Sequence, residues 1–209
     1  SGVSGPVADI GDTPTPGTIT ADGSCGDNLT WTLDDAGTLT ISGEGDMYNY
    51  NPAPWTAYKD TITSLVLPNG LTRIGDRAFQ GCTGLTTLSI PDTVTSIGEY
   101  AFEYCTSLTY AYLGKALNSI GFRGFRYCSN ISTITVPDAL NSVYDSFENT
   151  NIKKVILPAT VTSFNGTIRD LSSISIFESE NTSTIGYYTV DGILFYYDEY
   201  TDQTTLVCC

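Results

Sequence analysis

Apolar residues recur along this chain at fixed offsets. Aligned, the segments ITSLVLPNGLTRIGDRAFQGC, TGLTTLSIPDTVTSIGEYAFEYC and TSLTYAYLGKALNSIGFRGFRYC place equivalent residues 23 positions apart from Ile62 to Cys128. A period in the twenties predicts stacked coils, because one such unit cannot bury its apolar face alone and packs on its neighbours instead. The first apolar residue of each unit falls at Ile62, Leu85, Leu108, Ile131, Ile152 and Leu171, so the later turns are shortened.

Each unit opens with a short strand. Its inward residues are expected at Leu65 and Leu67, Leu88 and Ile90, Ala111 and Leu113, Ile134 and Val136, Val155 and Leu157, and Ile174 and Ile176. Proline at 68, 91, 137 and 158 ends the strand, since it has no N–H to give and its φ is fixed. A second apolar pair follows, as at Val94 and Ile97, then Gly98, then a short helical turn carrying Ala101 and Phe102. The pattern predicts an α/β solenoid of short parallel strands and short helical turns over 58–177. Phe79, Phe102 and Phe125, with Cys82, Cys105 and Cys128, belong to its core.

The flanks follow other rules. Residues 1–20 hold Thr13-Pro-Thr-Pro16 and too few apolar side chains for a core, which predicts a linker or arm, left after removal of a leader or at a fragment boundary. In 21–57, Leu29, Trp31 and Leu33 alternate with polar residues, Asp34 to Gly37 forms a turn, and Leu39 and Ile41 return. This is a β-hairpin suited to lie across the open end of the first coil as a cap. Trp55 is expected to plug the junction between cap and array. Residues 178–209 predict a C-terminal hairpin, Ile193 to Tyr197 out and Thr204 to Cys208 back, in a region that is expected to be incomplete.

The repeats resemble a known family. The run L-x-x-L-x-[IL]-P-x-x-[VL]-T-x-I-G-x-x-A-F-x-x-C, close in the first two units and decaying after Cys128, is similar to the BspA-like (TpLRR-type) leucine-rich repeat of bacterial surface proteins. CGDNLTWTLDDAGTLTISGEGDM resembles the cap that precedes such repeats, and VDGILFYYDEYTDQTTLVC resembles the family's inserted hairpin. The resemblance implies a right-handed array in a secreted or wall-attached protein of host-associated bacteria or parasites, some of which bind host matrix proteins or other cells. It carries over no shared binding residues. Departures cluster late: Gly114-Lys115 replaces the proline step, Gly124-Phe125 replaces Ala-Phe, Ser146-Phe147 comes one residue early, and Thr150 stands where Cys is expected.

Charge narrows the partners. The chain carries 23 acidic and 9 basic residues, net -14. Residues 1–57 hold eight acids and 171–209 six, neither with a base, so the array between them is neutral. Without a clustered positive surface, nucleic acid is not expected as a partner. Nor is membrane insertion, since no apolar run approaches the ~20 residues that span a bilayer.

Catalysis and metal binding find little to work with. There is no His, which removes the commonest general base, and no nucleophile-elbow or phosphate-loop motif occurs. One thiol per coil forms a row, whereas zinc needs ligands around a point, so Cys82, Cys105 and Cys128 are expected to be reduced and to pack as small hydrophobes. No enzyme activity, cofactor or metal is expected.

What remains is surface. The outward strand positions are Ser64 and Val66, Thr87 and Ser89, Tyr110 and Tyr112, Thr133 and Thr135, and Lys154 and Ile156. Small hydroxyl residues line most of this face; the third unit instead carries two tyrosines, which, with Lys115 just beyond, are the main candidate for ligand contact, because Tyr gives large area at low entropic cost. Arg123, Arg126 and Tyr127 form a second candidate on the far side of that unit. The expected function is a non-catalytic extracellular module binding a protein or glycan of a host or neighbouring cell. The alternative is a structural spacer or self-associating surface subunit.

Overall fold

The computed structural model describes residues 17–135, 137, 139, 140 and 145–153, and the backbone of six further strands at 142–143, 154–157, 176–179, 185–190, 193–198 and 203–208. It begins with three antiparallel strands, β1 (Ile19–Ser24), β2 (Leu29–Asp34) and β3 (Thr38–Asp46). Eight short strands follow, two to a coil: β4 (Ser64–Val66) and β5 (Gly70–Ile74), β6 (Thr87–Ser89) and β7 (Ser96–Ile97), β8 (Tyr110–Tyr112) and β9 (Ser119–Ile120), β10 (Thr133–Thr135) and β11 (Ser142–Val143). After them come β12 (Lys154–Leu157) and β13 (Ile176–Ser179), then β14 (Ile185–Val190), β15 (Ile193–Asp198) and β16 (Gln203–Cys208).

Two parallel ladders run along the array. One joins β6, β8, β10, β12 and β13; the other joins β3, β5, β7, β9 and β11. The first was legible from alternation. The second was not read as strand, because elements as short as Ser96–Ile97 show a single apolar residue and no alternation.

The third side of each coil corrects the expectation of helical turns. Among the described residues the one helical element is a 3₁₀ turn at Thr56–Tyr58. Around Ala101 and Phe102 the amides alternate in their partners. The N–H groups of Tyr100, Phe102 and Tyr104 donate to Phe122, Gly124 and Arg126 in the next coil, while those of Glu103 and Cys105 donate three residues back to Tyr100 and Phe102. A helix would direct every amide inward along its own axis. Here every second amide is spent between coils, and a left-handed residue on each side of the Ala-Phe step turns it outward: Arg77, Tyr100 and Arg123 before, Gly81, Tyr104 and Tyr127 after. The architecture is therefore a β-solenoid bonded on three sides.

The N-terminal hairpin gains a further strand, β1, at one edge, and it meets the first coil through its other edge. Its third strand pairs edge to edge, in parallel, with β4 through Thr38–Thr40 and with β5 through Glu44–Asp46. The two halves diverge at Gly43 and Gly45, whose φ values of 107° and 97° suit glycine alone. Strand edges need hydrogen-bond partners more than they need apolar cover, and β3 supplies them.

The core is a single continuous cluster from Cys25 to Ile152. Its axis is a column of rings: Trp55, Phe79, Phe102, Phe125 and Phe147 stack at centroid spacings of 5.5, 5.2, 5.1 and 5.4 Å with interplanar angles no larger than 19°. Trp55 starts the column, meets Trp31 of the N-terminal strands edge to face at 5.6 Å, and donates its indole N–H to the Ala78 carbonyl at 2.7 Å. It joins the two parts of the chain.

Cys25, Cys82, Cys105 and Cys128 are buried and free. The Cys105 thiol donates to the Phe79 carbonyl and the Cys128 thiol to the Phe102 carbonyl, at 3.3 and 3.1 Å, so each thiol ties its coil to the one before. Thr150, in the place of the fourth cysteine, donates instead to Phe147 in its own coil. Cys208 and Cys209 lie outside the described side chains.

Two glycine positions are set by close approach. A Cβ on Gly98 would fall 2.5 Å from the Asp76 amide nitrogen of the preceding coil, and one on Gly124 would fall 2.5 Å from Ile120 Cγ2. The departure from Ala at 124 thus has a packing cause. C-terminally, β15 and β16 pair antiparallel as the sequence predicts, and β14 adds a third strand beside β15. The side chains expected to point inward at Val136, Val155, Leu157, Ile174 and Ile176 lie outside the described residues.

Candidate functional site

The outward face of the β6–β8–β10 ladder is in strict register. Tyr110 lies between Thr87 and Thr133, and Tyr112 between Ser89 and Thr135. With small neighbours on both sides, Tyr110 is 44% exposed, while Tyr112 is half-buried. Among the described residues no ring contact joins Tyr110 to Tyr112; they stand as separate groups.

Tyr112 is held in place. Its hydroxyl donates to Asp92 Oδ1 at 2.8 Å, and the Lys115 backbone N–H donates to the same oxygen at 3.0 Å. The Lys115 ammonium lies 3.6 Å from Asp92 Oδ2. The Lys115 amide, followed by the Tyr112 hydroxyl, holds the Asp92 carboxyl below its ordinary range. The hydrogen bond to Asp92 in turn raises the Tyr112 phenol. The structure therefore brings Tyr112 and Lys115 together through Asp92, which sequence reasoning missed, while Tyr110 has no side-chain hydrogen bond or ring contact among the described residues. The signal was present: Lys115 occupies the column position held by Asn69 and Asp92, so a cation faces an anion one coil away.

Arg123, Arg126 and Tyr127 lie on the third side, tied into a column of their own. Gln80, Glu103, Arg126 and Glu148 occupy equivalent positions in four successive coils. Gln80 Nε2 donates to Glu103 Oε2 at 2.7 Å, Arg126 donates to Glu103 Oε1 at 3.3 Å, and Arg126 Nε sits 2.7 Å from Glu148 Oε2. Glu103 is 4% exposed, and its burial is tolerable because both oxygens are engaged. The Arg126 guanidinium loses hydration there, and Glu148, Tyr127 and Glu103 outweigh that loss and raise its pKa. Arg126 also lies over the Tyr127 ring, which stacks on Tyr104 at 4.7 Å and 9°. Arg123 packs over Phe122 and approaches Glu148 at 3.6 Å. This candidate is thus largely engaged within the solenoid, through Glu103, Glu148 and Tyr104, which were not read from the sequence.

Two negative observations bound the chemistry. Among the described residues no three of His, Cys, Asp and Glu are grouped so as to hold a metal ion. Among those residues, too, no helix is long and apolar enough to cross a membrane.

The family model described as "BspA type Leucine rich repeat region" matches residues 56–168 in six copies. The chain belongs to the BspA-type leucine-rich repeat family. As a member, it is similar to a leucine-rich repeat protein of Eubacterium ventriosum, with 26% identity and a TM-score of 0.66 over 86% of this chain and 49% of that one. It spans about half the length of that relative, at 49%. It also shares its fold with the T. pallidum leucine-rich repeat protein, at 18% identity and a TM-score of 0.55, covering 76% of this chain and 84% of the other. No protein of curated function matches this BspA-type chain. The family places the repeats; it designates none of the tyrosines or arginines above.

Proposed function

We propose that this chain is a non-catalytic, extracellular recognition module that binds a protein on a host or neighbouring cell through the outward face of the short-strand sheet around Tyr110 and Tyr112. One observation carries the reading. In a ladder whose other described outward positions in β6, β8 and β10 are Ser and Thr, two aromatic side chains stand in one coil, one pinned by Asp92 and one 44% exposed. Preorganised aromatic area with a polar tip is what protein-binding hot spots use. Family membership in a repeat type found in bacterial proteins supports a recognition role in preference to catalysis, and the same membership supports a surface location.

The test is binding of the purified chain to a panel of immobilised extracellular matrix proteins by surface plasmon resonance. A Tyr110→Ala, Tyr112→Ala double variant with unchanged melting temperature should lose about 2 kcal/mol of affinity or more, roughly thirtyfold. Unchanged binding by the variant, or no binding by the native chain to any surface in the panel, counts against the reading.

A further inference from the structure

The stack of Tyr127 on Tyr104 stops one coil early. In the column of left-handed residues that carries them, the preceding position is Gly81, with φ of 75°, and it offers no side chain. The amides of Gly81, Tyr104 and Tyr127 donate to equivalent carbonyls, Glu103, Arg126 and Glu148, so the three positions are in register. One face of Tyr104 is covered by Tyr127; on the other side of it in the column stands Gly81, beside which the Lys59 side chain lies. There the structure has a cavity of about 290 Å³, with Tyr104 in its wall. Tyr104 is 45% exposed.

The charges around this cavity are unusual for an acidic chain. The ion pairs among the described residues engage Arg73, Lys115, Arg123 and Arg126. Lys59 and Arg77 form none among those residues, and both line this cavity. Lys59 lies against Gly81, its Cδ and its ammonium each 3.4 Å from where a Cβ would stand, so the cation sits where the neighbouring coils carry a tyrosine. Arg77 lies over the ring of Tyr100 at 4.8 Å. No residue lining the cavity is acidic; Asp60, which accepts from Thr83 Oγ1, is not part of the lining. Asn51, Thr56 and Thr83 supply further polar groups around it.

We propose that this cavity binds the uronate unit of an acidic glycan, its ring laid on the face of Tyr104 away from Tyr127 and its carboxylate held by Lys59 and Arg77. A volume near the lower limit for small-molecule sites suits one ring and not a longer aromatic ligand. An aromatic face takes the C–H side of a pyranose, the two cations take its carboxylate, and Asn51, Thr56 and Thr83 take hydroxyls that a purely aromatic acid lacks. The site lies on the third side of the solenoid and shares no residue with the strand face proposed above, so either can fail alone.

The experiment is an NMR titration of the ¹⁵N-labelled full chain with digalacturonate, with the neutral galactose disaccharide and benzoate as comparison ligands. Saturable shifts centred on the Gly81 and Tyr104 amides are expected with digalacturonate alone. Gly81→Asn adds a side chain at that position while keeping a left-handed backbone that asparagine tolerates, as Asn149 does in the equivalent fourth-coil position at φ of 57°. It should abolish the shifts without lowering the melting temperature. Lys59→Gln keeps the backbone and should weaken binding about tenfold or more; the Tyr110→Ala, Tyr112→Ala variant should leave it intact. The proposal is overturned if digalacturonate gives no saturable shift up to tens of millimolar, if benzoate or the neutral sugar shifts the same amides equally, or if Lys59→Gln binds as well as the native chain.

Discussion

Replacing Phe102 by Ala tests whether the ring column holds the coils together. Phe102 is fully buried and stacks on Phe79 at 5.2 Å and on Phe125 at 5.1 Å. A buried Phe→Ala change costs about 3–5 kcal/mol through lost transfer energy and the cavity left behind. Each aromatic pair is worth about 0.5–1.5 kcal/mol beyond area. Two such pairs break here, which places the expectation at the upper end, about 4–5 kcal/mol. Against a native stability of about 5–15 kcal/mol this is a large fraction. The loss is also directional. Coils touch only their neighbours, so a defect in the second coil separates the N-terminal part from the rest. Both tryptophans, Trp31 and Trp55, lie on the N-terminal side of it. Urea unfolding followed by tryptophan fluorescence and by far-ultraviolet circular dichroism should give coincident curves for the native chain and separated midpoints for the variant. Phe102→Leu, which keeps most of the volume, should lose less than half as much. A Phe102→Ala cost below about 1 kcal/mol, about a third of the smallest loss typical of a buried Phe→Ala change, with coincident curves, would refute the idea that the column transmits stability along the array.

Two further predictions concern the joints between coils. Burial raises the Cys25 thiol from 9.0 to about 11 and the Cys82 thiol to about 12, and pushes the Cys105 thiol up as well. The neutral thiol is the form the fold accommodates, so this contribution is complete below pH 9.0 and is lost as pH rises toward and through about 11; a melting-temperature series from pH 8 upward should fall across that window, and these thiols should resist a thiol reagent at pH 8 until urea is added. Gly98→Ala should cost about 2–4 kcal/mol, because its methyl group would be driven onto backbone atoms of the previous coil that cannot move aside; a drop under about 0.5 kcal/mol in urea titration, within the range of ordinary surface changes, would show that the coils can part there at little cost.

The solenoid and its first ladder were legible because a repeated pattern multiplies a weak signal. One L-x-L run is ambiguous, but Leu88, Ala111 and Ile134 at equal spacing are not, and all three are buried. The third side was misread as a helical turn because its apolar residues, Ala101 and Phe102, are adjacent and show no strand alternation. A local pattern cannot reveal that Tyr100, Phe102 and Tyr104 give their amides to another coil. The candidate sites were half legible for a related reason. Tyr110 and Tyr112 stand out along the chain, whereas Asp92, Glu103 and Glu148 become visible only when residues are read across coils. A solenoid has two neighbourhoods for each residue, along the strand and up the stack, and reading one alone finds half of each cluster.

Strand β3 sets the phase for everything after it. Its first half begins one edge of the solenoid by pairing with β4, and its second half begins the other by pairing with β5. An extra residue in a later turn would displace one coil locally and leave those around it able to stack. An extra residue between Thr40 and Glu44 would offset the two sides of the solenoid against each other from the first coil onward. Repeats in this architecture can be gained or lost with little penalty, while the strand that starts them has no such freedom in its length.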